Sequence, residues 1–246
     1  MQVHHTKGIV LRTVKYGETS IITTIYTELF GKQSYIVKGV RQATKKRTQQ
    51  SNYFQPAAIL DLQVYHHPLK NLQFIKEFQW DKIYKNVFSD VVRNTVATYM
   101  IELLNNCLQQ PETNAELFYF IENILLFLDE DDKNITANLP PYFTLKLSSL
   151  LGFEMRGEYS SDTTLLDLQE GIFCSSIPQH LNYLNEEEAK ITSAFLHADE
   201  PEHLIHIKIN GTLRSRLLQA YQQFLQLHIA DFQEIKSLKI LQEIFN

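Results

Sequence analysis

The 246-residue sequence predicts an α+β chain of two domains, a small five-stranded β-barrel over residues 1–80 and an all-helical domain over residues 81–246. Three observations carry this. Up to Trp80 the apolar residues come in short runs of β-branched and aromatic side chains broken by turn residues, as in strands; beyond it they recur at spacings of three and four, as in helices. The net charge of −5 is the sum of unlike parts. Residues 1–80 hold eleven Lys or Arg against four Asp or Glu, a net of +7, while the remainder holds 12 against 24, a net of −12. Finally, 44% hydrophobic and 21% charged residues describe an ordinary globular protein with enough chain for two cores.

The strands are read at 8–14, 20–27, 33–40, 57–65 and 72–80, separated by Tyr16-Gly17-Glu18, by Phe30-Gly31-Lys32, by a long polar stretch and by His67-Pro68-Leu69-Lys70-Asn71. Five short strands with no helical pattern between them favour closure, because a closed barrel has no exposed sheet edge. An OB-fold is the first choice; an SH3-like barrel has the same strand count.

In the second part, Val96, Tyr99, Met100, Leu103, Leu104 and Cys107 share one helix face, and Leu117, Phe118, Phe120, Ile121, Ile124, Leu125 and Leu128 share another. Thr113 and Glu116 have the capping-box spacing and mark the start of the second helix. Further helices are expected at 141–151, at 186–197 behind an Asn185 cap, at 212–228 and at 232–245. Residues 157–176 show neither period and predict a loop or small hairpin.

The polar stretch from Lys38 to Ser51 carries five positive charges within ten residues, Lys38, Arg41, Lys45, Lys46 and Arg47, with no acid and almost no apolar side chain. It cannot be core. A solvated loop is the plain account of such a run, but the charge asymmetry and the barrel context favour a polyanion. Lys and Arg would neutralise phosphates, Lys32 joining them, while Tyr35, Tyr53, Phe54 and Tyr65 offer rings on which bases could stack.

Enzyme signals are weak. Gly152 and Gly157 have the outer spacing of a phosphate-binding loop, but Glu158 stands where its Lys should be, and no G-x-G-x-x-G or G-x-S-x-G occurs. The pairs His4-His5, His66-His67 and His203/His206 each lack a nearby second pair of metal ligands, and Asp129-Glu130-Asp131-Asp132 reads as a solvated turn. Two cysteines, Cys107 and Cys174, exclude a disulfide framework and a four-cysteine zinc site. With no catalytic residue, cofactor or metal assigned, and no apolar run near the roughly 18 to 20 residues of a membrane helix, a cytoplasmic binding protein is expected.

The order Lys7-Gly8-Ile9-Val10-Leu11, Tyr16-Gly17-Glu18-Thr19-Ser20, Gly31-Lys32 and Lys38-Gly39-Val40-Arg41 resembles the N-terminal domain of the RecO family of bacterial recombination mediators. The likeness continues through 145–153 and the C-terminal pattern Arg216, Tyr221, His228, Lys236-Ser237 and Leu241. It implies an OB-fold that binds single- and double-stranded DNA, at the nucleoid, and a helical domain that contacts RecR and the tail of the single-stranded-DNA-binding protein. Such a tail is acidic and ends in an apolar residue, which makes Arg214, Arg216, Lys236 and Lys239 the candidate partner-binding cations. Many relatives carry a four-cysteine zinc site where this chain has only Cys174, so 154–176 reads as a degenerate zinc-finger-like loop held by Leu165, Leu166, Leu168, Ile172 and Phe173. Two functions follow: a DNA-binding mediator that anneals strands and, with RecR, loads recombinase, or an adaptor in which the acidic helical domain is the working part.

Overall fold

The computed structural model describes residues 2–41, 50–130 and 135–245. Strands β1 (Val3–Tyr16), β2 (Ser20–Thr27), β3 (Gly31–Val37), β4 (Ile59–Tyr65) and β5 (Leu72–Trp80) close into a barrel in the order β1-β2-β3-β5-β4. All pairings are antiparallel except β3 with β5, which run parallel. That order is the OB-fold, and it decides between the two barrels. Its interior holds Val10, Ile25, Tyr35, Leu62 and Val64, each fully buried.

Two β-bulges bend the sheet enough to close it. In β1, Val10 pairs with Ile25 and Arg12 with Thr24, so Leu11 is the extra residue. In β5, Glu77 pairs with Gln63 and Ile75 with Val64, so Lys76 is the extra one. The first bulge explains why Val10 and Leu11 are both buried where a regular strand would alternate, while Ile9, paired with Tyr26 and Ile59, is buried on the other side of the sheet. At Gly8 the walls come so close that a Cβ would lie 2.6 Å from Ile25 Cγ2 and 2.8 Å from Leu62 Cδ1, and only glycine fits.

The chain divides into two compact units, residues 1–85 with 108–126, and residues 86–107 with 127–246. The barrel unit therefore takes in a stretch of helical sequence, the first three turns of α2 (Ala115–Glu130). Several groups hold it there. The Tyr26 hydroxyl donates to the Asn114 carbonyl at 3.1 Å, Lys7 Nζ lies 2.9 Å from Glu122 Oε1 and 3.5 Å from Asp81, and Tyr119 donates to Glu28. The contact with Glu122 raises the Lys7 pKa above its ordinary value. The cap of α2 is Asn114, whose Oδ1 accepts from Leu117 N at 2.9 Å; the expected capping Thr113 lies one residue too early.

In the second unit α3 (Leu139–Leu150) packs against α1 (Val91–Cys107), α4 (Glu186–Leu196) and α5 (Gly211–His228), and α6 (Ser237–Phe245) lies on α1. Buried hydroxyl pairs lock the core, Tyr99 with Thr144 at 2.9 Å and Thr192 with Tyr221 at 2.8 Å. Asn185 and Glu188 form the full capping box of α4. The last helix is shorter than its sequence pattern, because Glu102 accepts from Lys236 N, Ser237 N and Ser237 Oγ and so fixes the start at Ser237. Asp129 is not a solvated residue: it is buried and its Oδ1 accepts from the backbone of Asn86 and Val87 at 2.7 and 2.9 Å. Asp131 and Asp132 lie outside the described residues.

Gly31 is the tightest point of the barrel unit, with φ +61° and Glu112 O only 2.2 Å from where a Cβ would be. Gly39 has φ +75° with open space around it. Gly31→Ala should thus cost both left-handed strain and a steric clash, about 3 kcal/mol, against about 1 kcal/mol for Gly39→Ala, measured by urea unfolding.

Candidate nucleic-acid interface

Strand register assembles one continuous outer face on the barrel. Beyond the bulge, Arg12, Val14 and Tyr16 of β1 stand opposite Thr24, Ile22 and Ser20 of β2. Thr24 and Ile22 in turn face Ser34 and Ile36 of β3, which pair with Leu72 and Phe74 of β5. The alternate residues Ile21, Thr23, Tyr35 and Val37 point inward and are buried. None of these outward positions is acidic. The face is part apolar and accessible, with Val14 40%, Tyr16 52% and Phe74 36% exposed. It carries the exposed Arg12 and is flanked by the exposed Lys38, whose Nζ lies 5.6 Å from the centroid of the Phe74 ring. Accessible rings with cations beside them are the elements of a single-strand binding surface, rings for bases and cations for phosphates.

Two of the cations expected from the sequence, Lys38 and Arg41, stand at this face. Arg41 closes it at one end: its backbone N–H donates to Thr19 O at 3.0 Å and Nη1 donates to Gly17 O at 2.9 Å, clasping the β1–β2 turn. Lys32 is spent on the fold, its Nζ donating to Leu108 O at 2.8 Å. Lys45, Lys46 and Arg47 lie outside the described residues.

The aromatic assignments need correction. Tyr35 is 0% and Phe54 2% exposed, so neither can meet a base. Tyr53 stacks on Trp80 at 4.8 Å, and Tyr65 is half-buried. The rings that do stand on the face, Tyr16 and Phe74, were missed along with Arg12. The signal was present in the alternation of Arg12, Val14 and Tyr16, but it cannot be interpreted without the bulge that sets its phase.

The four cations proposed for partner binding do not share one setting. Arg214 is half-buried, donating from Nε to Asn138 Oδ1 at 3.3 Å and from Nη2 to Ile209 O at 3.2 Å, with its guanidinium carbon 5.7 Å from the Phe245 ring centroid. Burial pulls its pKa below the ordinary arginine value. It lines a shallow cavity with Asn138, Leu204, Ile207 and Asn210. Arg216 instead lies 3.6 Å from both Glu187 and Glu188, Lys239 lies 3.0 Å from Glu234, and Lys236 is exposed.

Residues 154–176 form more than a loop: β6 (Leu165–Asp167) pairs with β7 (Ile172–Cys174) and with β8 (Tyr183–Leu184). Leu166, Leu168 and Phe173 are buried there, whereas Ile172 is 38% exposed. Cys174 is its one thiol, and among the described residues no three His, Cys, Asp or Glu are placed to hold a metal, so the donor set does not fit a zinc site. Nor is any described helix long and apolar enough to cross a membrane.

Comparison with known proteins agrees with the resemblance. Residues 1–84 match the family Recombination protein O N terminal and residues 88–239 match Recombination protein O C terminal. Proteins named DNA repair protein RecO are similar over nearly the whole length. That of Bacteroides fragilis is 31% identical, that of Christiangramia forsetii 30% and that of Phocaeicola vulgatus 29%, each alignment covering 98% of both chains. The chain belongs to the RecO family.

Proposed function

We propose that this chain binds DNA through the outer face of its barrel and acts as a recombination mediator in DNA repair. The observation that carries the reading is the acid-free surface of Arg12, Val14, Tyr16, Lys38 and Phe74, on a part of the chain with net charge +7. Phosphate neutralisation by Lys38, Arg41, Lys45, Lys46 and Arg47 would lower the repulsion between two complementary backbones, which is sufficient to promote annealing without a nucleotide. The role is one of binding, with no catalytic residue assigned, and belongs at the nucleoid.

The helical part, net −12 beyond residue 80, repels DNA and suits protein partners. Family membership supports RecR and the single-stranded-DNA-binding protein tail as those partners. Of the four candidate cations, Arg214 fits an acidic tail with an apolar end best, because its guanidinium lines a cavity beside Leu204 and Ile207. Arg216 and Lys239 already have carboxylates near them.

Titration with a single-stranded oligonucleotide at several salt concentrations tests the assignment. Contacts with about four to six phosphates give a slope of log K against log salt of about −3 to −4, and Lys45, Lys46 and Arg47 changed together to Ala flatten it by about 2. Absence of binding at low salt would favour the adaptor reading. Phe74→Ala and Tyr16→Ala should each weaken binding by about 1 to 3 kcal/mol with the slope unchanged, since a lost stacking contact releases no counterion.

A further inference from the structure

Next to the outer face the barrel unit has a cleft of about 540 Å³, within the size range of small-ligand sites. Thr24 and Ser34 belong to both, so cleft and face are continuous. Its other walls are the β2–β3 turn, Gln109, Gln110, Pro111 and Thr113, and the β4–β5 turn with His66, Pro68 and Lys70; no acid is among these lining residues, Glu112 standing outside them. Inside, the Phe30 and His66 rings stack at 4.0 Å and 12°. Burial, with His4 and His67 adding to it, lowers the His66 pKa, so near neutral pH the stack is an uncharged aromatic surface.

At the rim stands Leu69, 90% exposed. A single exposed leucine is ordinary on a mobile loop, but this turn is pinned from below. Gln73, 1% exposed, accepts from His67 N at 2.9 Å and donates to His67 O at 2.9 Å and to Lys70 O at 2.5 Å. Lys70 N donates to His67 O at 3.0 Å and Leu69 N to His67 Nδ1 at 3.2 Å. Buried polar contacts thus hold a large apolar side chain out in water, between Pro68 and the exposed Lys70.

We propose that the β4–β5 turn is a wedge, Leu69 entering between bases where duplex meets single strand while the displaced base enters the adjoining cleft. Apolar side chains inserted at a base step are a known means of unstacking nucleic acid. Here the step would be taken by a rigid turn, so little of the ordering cost falls on the protein. Lys70 is placed to meet the phosphate beside the opened step. For a chain that joins strands, a wedge at the junction would let a misaligned end open and pair again. The inference rests on the DNA-binding reading of the barrel face.

The test uses the full-length protein and a duplex with a single-stranded overhang carrying 2-aminopurine at the junction. The fluorescence should rise on binding of the native chain, and Leu69→Ala should remove most of the rise while affinity for plain single strands changes by less than about twofold. Leu69→Phe should retain the rise. Lys70→Ala should leave the rise and reduce the salt slope by about 0.7. Leu69→Ala with the native fluorescence response overturns the wedge, as does native binding with no rise at all; in both cases the DNA-binding assignment stands. Failure of the native chain to bind any DNA overturns that assignment itself. An unchanged circular dichroism spectrum and melting temperature confirm that the exposed substitution has not unfolded the barrel.

Discussion

The parallel pairing of β3 with β5 is the constraint from which most of the barrel follows. Because β5 occupies the edge of β3, β4 must pair elsewhere, and it pairs with β1 to close the barrel. The chain cannot join β3 to β4 by a tight turn. It needs a crossing segment, here residues 38–58, between Val37 and Ile59. Its described part returns to the barrel through Phe54, Ala57 and Ala58, which are buried. The basic run from Lys38 to Arg47 falls, in sequence, within that obligatory connection between β3 and β4.

Formal charge overstates what the barrel can offer a polyanion. Of its cations, Lys7 is engaged by Glu122 and Asp81 and Lys32 by the Leu108 carbonyl, while Arg41 gives one exposed hydrogen bond to Gly17 O and keeps its other N–H groups. Lys7 and Lys32 thus secure the segment that holds α2. Arg12, Lys38 and Lys70 are exposed and lie toward the face and the cleft. The division has a physical logic: a cation part-buried beside a carboxylate is worth more to the fold than to solvent, while one left in water keeps its counterions to release.

Much of the barrel was legible because period 2 is local. The strands at 20–27 and 72–80 have the same bounds in sequence and structure. The phase of that alternation is not local. Tyr35 looks as available as Tyr16 until the barrel closes, after which one is 0% and the other 52% exposed. The bulge at Leu11 shifts the register by one residue and thereby decides which side of β1 reaches the face. The same holds for the last helix: Phe232 and Ile235 continue the helical pattern, yet Glu102 of another helix accepts the N–H groups of Lys236 and Ser237 and sets the start. Element type was written in neighbours along the chain, whereas caps and faces depended on residues far along it.

The small sheet of the helical unit is held by hydrogen bonds and packing. A zinc site pins short loops by four bonds to one ion. Here Arg156 N donates to Gly171 O at 2.7 Å, Phe173 N to Arg156 O at 3.3 Å, and Leu168 N to Asn182 O at 2.9 Å, so β6, β7 and their flanks are tied by backbone hydrogen bonds. Leu166 and Leu168, at 0% and 1% exposure, put apolar surface beneath them. Gly171, with φ +64°, lets the turn pass within 3.3 Å of the Phe224 ring, measured from where a Cβ would be, and so seats the hairpin on α5. The hold is distributed through the packing of the unit, so this region melts with the helices rather than with the loss of a single ligand.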